Sequence, residues 1–213
     1  MKIDPHGMTR QDFYHLMLLA INPRPIAWVS TVGEDGVNNL APFSFFQVVS
    51  AKPPVVCFSP ASKRDGQKKD TLRNIESCRD FVINTVNEDL AKAMNQTSAE
   101  YPPDVDEFKE VGLTPVTSDL VKSPRVGEAP VNLECKLIQI LQFGQSPEFA
   151  HLIIGDVVRM HIRDEFCIDG QLDGWKLKSI GRLWQKYYCR ITDAFEISLA
   201  DPQKPYKYKP NKK

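Results

Sequence analysis

The sequence predicts a mainly β fold, a β-barrel with peripheral helices, in a single domain spanning residues 1–213 with its core over about 21–195. Three observations lead there. Short apolar runs bounded by Pro, Gly and Asn recur along the chain, as many strands require. Helical periodicity appears only in brief stretches. Strands and helices do not alternate steadily, which argues against a parallel doubly wound sheet and for antiparallel pairing. A chain of 213 residues can bury roughly 70% of its unfolded surface and needs no covalent staples.

The elements follow in order. Phe13, Leu16, Met17 and Ala20 repeat at the spacing of one helical face, predicting a helix over Thr9–Ala20. Asn22-Pro23-Arg24-Pro25 stops it. Ile26 to Val32 reads as a buried strand, Gly33-Glu34-Asp35-Gly36 as a turn, and Asn38 to Ala41 as the second arm of a hairpin. Phe45–Ser50 and Val55–Ser59 are further strands. The loop Ser62–Lys69 is basic, with Lys63, Arg64, Lys68 and Lys69, and leads to a helix over Thr71–Cys78 for which Asp70 is the expected N-cap. Phe81–Val86 is a strand and Glu88–Thr97 a short helix. A looser stretch follows, with one helical turn near Glu107–Val111. Two long strands come next, Val131–Phe143 and His151–Ile162, joined by a turn at Gln145–Glu148. Val131, Leu133, Cys135 and Leu137 alternate with polar positions, as a half-buried strand should. The proline- and lysine-rich end, 203–213, reads as a flexible tail.

Charge and cysteine usage narrow the function classes. The chain has 27 basic and 27 acidic residues, so its totals predict no nucleic-acid and no membrane partner. No stretch approaches the ~20 apolar residues of a membrane span. Asp4, His6, Arg10, Asp12 and His15 interrupt any secretory apolar region. Cys57, Cys78, Cys135, Cys167 and Cys189 are odd in number and form no CxxC pair, which fits reduced thiols in a cytoplasmic protein. His151, His161 and Cys167 match no familiar metal-site spacing, so no metal is expected.

Three clusters concentrate the chemistry: Pro23 to Thr31, Asn39 to Phe46, and Lys69 to Ile75. The first presents Ser30 and Thr31 hydroxyls and main-chain amides beside Trp28. The second leaves through Pro42 into Phe43, Phe45 and Phe46. A flat amphipathic ring fits such a surface. The third, a basic loop opening a helix, suits a phosphate, with Lys69 and the Thr71 hydroxyl as its contacts. An N-cap carboxylate at Asp70 competes for the same amides. The phenylalanines equally suit core packing, and a basic loop before a helix equally suits a solvated helix start.

Taken together, PRPIAWVSTVGEDGVNNLAPFSFF at 23–46, SAKPPVVCFSP at 50–60, KDTLRNI at 69–75 and FVINTV at 81–86 resemble the flavin-reductase-like family, to which the flavoredoxins also belong. The later stretches EFKEVGLTP, SPRVGEAPVNLEC and HLIIGDVVRMHI also fit, so the resemblance runs from about Ile21 to Phe195. It implies an FMN-binding split β-barrel of Greek-key type. It also implies that Trp28, Val29, Ser30 and Thr31 line the isoalloxazine edge, that Asn39, Ala41, Pro42 and Ser44 hold the ring and ribityl chain, and that Lys69 and Thr71 take the phosphate above Asp70. The family's members are typically homodimers with the flavin near the subunit interface. One departure stands out. Where the family often has Arg-Leu-Gly-Gly before a tyrosine, this chain has Arg182-Leu183-Trp184-Gln185 ahead of Tyr187, which implies an altered pocket if the segment lies above the flavin.

The resemblance implies an NAD(P)H-dependent flavin reductase, in which hydride passes from nicotinamide to flavin N5. It also leaves a flavoredoxin-like carrier fed by a redox partner protein, and an FMN-binding module without turnover. No acid–base dyad is evident. His161 is the one candidate catalytic residue, and a structural histidine is the plainer reading.

Overall fold

The Ile26–Val32 run forms β1 (Ala27–Val32), a strand of a seven-stranded antiparallel sheet that is buried on both faces because a core packs on each side of it. The computed structural model describes residues 1–63 and 65–199; Arg64 and the 203–213 segment read as a tail lie outside the described residues. The helices are α1 (Arg10–Ala20), α2 (Asp70–Cys78), α3 (Ala91–Gln96) and α4 (Glu107–Val111). The remaining strands are β2 (Asn38–Phe43), β3 (Phe46–Ala51), β4 (Pro54–Phe58), β5 (Asp80–Asn84), β6 (Pro115–Val116), β7 (Arg125–Val126), β8 (Val131–Gln145), β9 (Glu148–Ile162), β10 (Cys167–Ile168), β11 (Gln171–Leu172), β12 (Ile180–Arg182) and β13 (Tyr188–Arg190). The large sheet runs in the order β2-β1-β5-β8-β9-β4-β3, and the other strands pair off in twos.

The hairpin predicted around Gly33–Gly36 forms, with Trp28 opposite Pro42 and Thr31 opposite Asn39. The sheet then curls on itself. Phe43, on edge strand β2, meets Phe58 of β4 with ring centroids 5.2 Å apart, and Phe58 meets Phe81 of β5 at 5.4 Å. Strands near opposite ends of the sheet order thus share one core, with Ala27, Val29, Ile83, Cys135 and Ile153 inside it, which makes the sheet a barrel. Gly155 permits the closure: a Cβ there would stand 2.4 Å from the Phe81 ring. A second core covers the other face of β1 and β2, where Trp28 and Leu40 pack against Met94, Phe108, Val126 and Ile180. Burying each such large side chain contributes roughly 1.5–3 kcal/mol.

Two local expectations change. The helix read over Glu88–Thr97 is shorter, because the Asn87 side chain accepts from the Leu90 amide (3.1 Å) and holds residues 87–90 as a turn. On β8 two of the polar alternates, Asn132 and Glu134, are not on a solvated face. Asn132 donates to Asn84 Oδ1 (2.8 Å) and to the Val126 carbonyl (3.0 Å). Glu134, fully buried, accepts from the Asp119 and Leu120 amides (2.8 and 2.7 Å). The 117–124 loop therefore covers this face, and polar side chains lie beneath it fully hydrogen-bonded.

Candidate functional site

The gap where the rolled sheet's ends face each other holds a cavity of about 560 Å³. It is walled by β2 and its exit (Asn39, Ala41 to Phe45), the segment after β4 (Ser59, Ala61, Lys63), the start of α2 (Lys69 to Thr71) and the 97–101 segment, with Arg10, Gln11 and Tyr14 of α1, Glu107 of α4 and Glu148 of β9 completing the wall. Its volume is that of a small-molecule site. One side is apolar and aromatic, from Pro42, Phe43, Phe45 and Tyr14, the last two with ring centroids 6.3 Å apart. The other side carries Lys63, Lys69, Asn39 and Thr71.

The start of α2 explains the polar end. Lys69, not Asp70, is the N-cap residue, and no side chain caps the first turn. Asp70 is already inside the helix, and its carboxylate pairs instead with Lys63 (2.7 Å) and Arg73. This corrects the expected cap and removes the competition it posed. The uncapped first-turn amides, at the positive end of the helix dipole, are left for an anion. The loop lysines are each engaged: Lys63 with Asp70, Lys68 with Glu76 (2.7 Å), and Lys69 with Glu100 (3.0 Å). Thr71 is buried, and its hydroxyl accepts from Asn39 Nδ2 at 2.9 Å, joining β2 to α2.

Asn39, Ala41, Pro42, Ser44, Lys69, Asp70 and Thr71 are thus brought to one cavity. Trp28, Val29, Ser30 and Thr31 are not. All four are wholly buried in β1, whose main chain pairs with β2 along its length and with β5 over Trp28 to Ser30. Their polar groups already have partners. Trp28 Nε1 donates to Thr97 Oγ1 (2.9 Å), the Ser30 hydroxyl donates to the Pro124 carbonyl, and Thr31 Oγ1 accepts from Asn39 and Asn74. These residues stand behind the wall and hold it: Trp28 fixes Thr97, and Thr31 fixes Asn39.

His161 is also elsewhere, at the opposite end of β9 from the cavity residue Glu148. Its Nε2 lies 2.5 Å from Glu134 Oε1. Burial pushes the Glu134 carboxyl up, but the amides of Asp119 and Leu120 together with His161 outweigh it and hold the group below the usual range. Asp119 completes a cluster of three close ligand-type atoms, yet its carboxylate pairs with Arg159 (3.1 Å). The pair is a structural clamp on the 117–124 loop.

Two residues were missed in the sequence. Glu107 lines the cavity, is 6% exposed, and accepts from the Leu40 amide at 3.0 Å; burial raises its carboxyl to about 7. Arg24 donates to the Leu18 (3.1 Å), Ile21 (2.6 Å) and Leu183 carbonyls, tying the end of α1 to the β12–β13 hairpin. Trp184 and Gln185 occupy that hairpin's turn, with Gln185 at φ 45°, and are not among the cavity's wall residues.

Residues 19–172 match the model of the flavin reductase like domain. An uncharacterized protein of Aquifex aeolicus is 41% identical over 178 residues, covering 83% of this chain and 89% of that protein. The crystal structure of nitrilotriacetate monooxygenase component B from Bacillus cereus superposes with a TM-score of 0.88 at 35% identity, covering 92% of this chain and 98% of that one. The 2-nitrobenzoate 2-nitroreductase of Pseudomonas fluorescens superposes with a TM-score of 0.80 at 30% identity, covering 94% and 96%.

Proposed function

The chain belongs to the flavin reductase-like family, and on that premise we propose that it is an FMN-binding oxidoreductase that takes hydride from NAD(P)H. The observation that carries this reading is the two-sided cavity, apolar and aromatic at one side and lined at the other by two lysines and an uncapped helix start. FMN fits that donor set. Pro42, Phe43 and Phe45 offer surface for the ring; Asn39, Ala41 and Ser44 hold its polar edge and the ribityl chain. Lys69, Thr71 and the first amides of α2 take the phosphate, which draws Lys69 from Glu100. When bound, FMN supplies the hydride and electron transfer that no side chain here performs alone. The protein's part is to orient the ring, exclude water and neutralise the phosphate. Trp28 to Thr31 act from behind, through Thr97 and Asn39.

A component of a monooxygenase and a nitroreductase among its relatives support a role in passing electrons from a reduced flavin to a further acceptor. A homodimer fits the exposed apolar side chains Val48 and Val49 on edge strand β3 and Phe143 on β8. A cytoplasmic location fits the five unbridged cysteines. Anaerobic mixing of the flavin-loaded protein with NADH and NADPH tests the activity. Rapid loss of flavin colour with either supports the reductase. Colour that persists with both, and fades with a reduced iron–sulfur protein, replaces it with an electron carrier fed by a protein partner.

A further inference from the structure

Beside the larger cavity, and sharing Tyr14, Pro42, Ser44 and Ser98 with it, lies a smaller one of about 170 Å³. Two arginines line it. Arg24 and Arg182 stand directly opposite each other in an antiparallel bridge, joined by main-chain hydrogen bonds of 2.9 and 2.8 Å. Like charges in that relation repel. Arg24 is 5% exposed; it donates to three main-chain carbonyls, and its Nε has no hydrogen-bond partner among the described residues. Arg182 donates to the Gln185 carbonyl, and its Cζ lies 4.5 Å from the centre of the Tyr188 ring. Neither arginine has a carboxylate partner among the described residues, and no acidic side chain is in the cavity wall. Burial disfavours the Arg24 charge, Tyr14 favours it, and Arg182 disfavours it again. A guanidinium keeps its proton in a protein, so two cations share one small cavity, and an anion between them removes the penalty.

We infer that this cavity binds a single-ring aromatic acid by its carboxylate, next to the flavin. Its place beside the flavin rests on the reading of the larger cavity as the flavin site; the binding of the acid does not. Arg182, the more exposed of the pair, meets the carboxylate directly, and Arg24, held by its carbonyls, adds its charge from behind. Leu18, Ile26, Pro42 and Met94, with the rings of Tyr14 and Tyr188, give the body of the ligand an apolar bed. A bare inorganic anion satisfies the arginines and leaves that bed uncovered. Size sets the other limit. A cavity of about 150 Å³ accommodates a benzene ring, so this one holds one ring with its carboxylate and has no room for a dinucleotide. Pro42 and Ser44, which the flavin reading places at the ring and ribityl chain, belong to both cavities, so a molecule held here adjoins bound FMN.

Benzoate is the probe, titrated calorimetrically into the FMN-loaded protein, whose phosphate site is then already filled. It should bind and shift the flavin absorption bands. Benzamide, its uncharged counterpart, and inorganic phosphate should each bind at least about tenfold more weakly, the loss of one charge-assisted hydrogen bond or of the apolar contacts. Arg182→Gln should lower benzoate affinity by at least a similar factor while FMN uptake stays within about twofold of the parent. Arg182→Lys covers the case in which the Gln variant folds poorly: it keeps the charge and should still prefer benzoate to benzamide. Benzoate that fails to bind, benzamide or phosphate that binds as tightly, or an Arg182→Gln variant with unchanged benzoate affinity overturns the proposal. Benzoate that binds without moving the flavin bands overturns its place beside the flavin. A protein that takes up no FMN overturns the flavin reading instead, and the same titrations of that flavin-free protein and its Arg182 variants decide the arginine pair.

Discussion

Lys69 Nζ stands 3.0 Å from Glu100 Oε1 in the larger cavity, so the cation proposed to meet the FMN phosphate already has a carboxylate beside it. Both side chains are partly exposed, and such pairs are worth at most about 1 kcal/mol. A phosphate dianion with helix amides behind it therefore displaces the carboxylate. Glu100→Gln should tighten FMN binding by roughly threefold to tenfold at low ionic strength, with the gain shrinking at high salt. Fluorescence titration measures it; unchanged or weaker binding would place the phosphate away from Lys69.

Thr97→Val tests the support that β1 gives the wall. The variant leaves Trp28 Nε1, wholly buried, without its acceptor. An unsatisfied buried donor costs about 1–3 kcal/mol, to be read as a lowered denaturant midpoint. A Thr97→Ser variant keeps the hydroxyl and should retain most of that stability.

Glu107 makes stability depend on pH. Its carboxyl titrates at 4.5 when unfolded and at about 7 in the fold, where burial disfavours the charge. Between those values the native state holds a proton that the unfolded state has released, so stability falls as pH rises through that window. The loss approaches roughly 3 kcal/mol above pH ~7. Facing charges are Asp106, which raises the group, and Lys63, which lowers it. Glu107→Gln should flatten the decline over this range, measured by urea unfolding at a series of pH values.

His161→Ala separates structure from chemistry. The clamp with Glu134 lies away from the cavity, so flavin reduction should stay within about twofold of the parent rate while stability falls by about 1–3 kcal/mol. A large loss of rate with unchanged flavin content would return His161 to the mechanism.

The sequence was most informative where periodicity and punctuation agree. The helix read over Thr9–Ala20 forms as α1 with Thr9 as its N-cap, the Gly33–Gly36 turn joins β1 to β2, and the single turn at Glu107–Val111 forms over those residues. The family motifs located seven residues of one cavity. They also include Trp28 to Thr31, which lie behind the cavity wall and hold it through Thr97 and Asn39. Asp70 misled: its residue type favours an N-cap, but tertiary pairing with Lys63 drew it one position inside the helix. Glu107 gave no local signal, since its role comes from a contact with Leu40, 67 residues away. The covered face of β8 was invisible because buried, hydrogen-bonded polar residues have the same pattern as solvated ones.

The most direct measurement is an FMN titration of the purified protein beside its Lys69→Ala, Thr71→Ala double variant. The predicted result is saturable binding by the parent, one FMN per chain, weakened at least about a hundredfold in the variant by the loss of two phosphate contacts. A parent that takes up no FMN, or a variant that binds it equally well, would contradict the assignment of the cavity to the flavin.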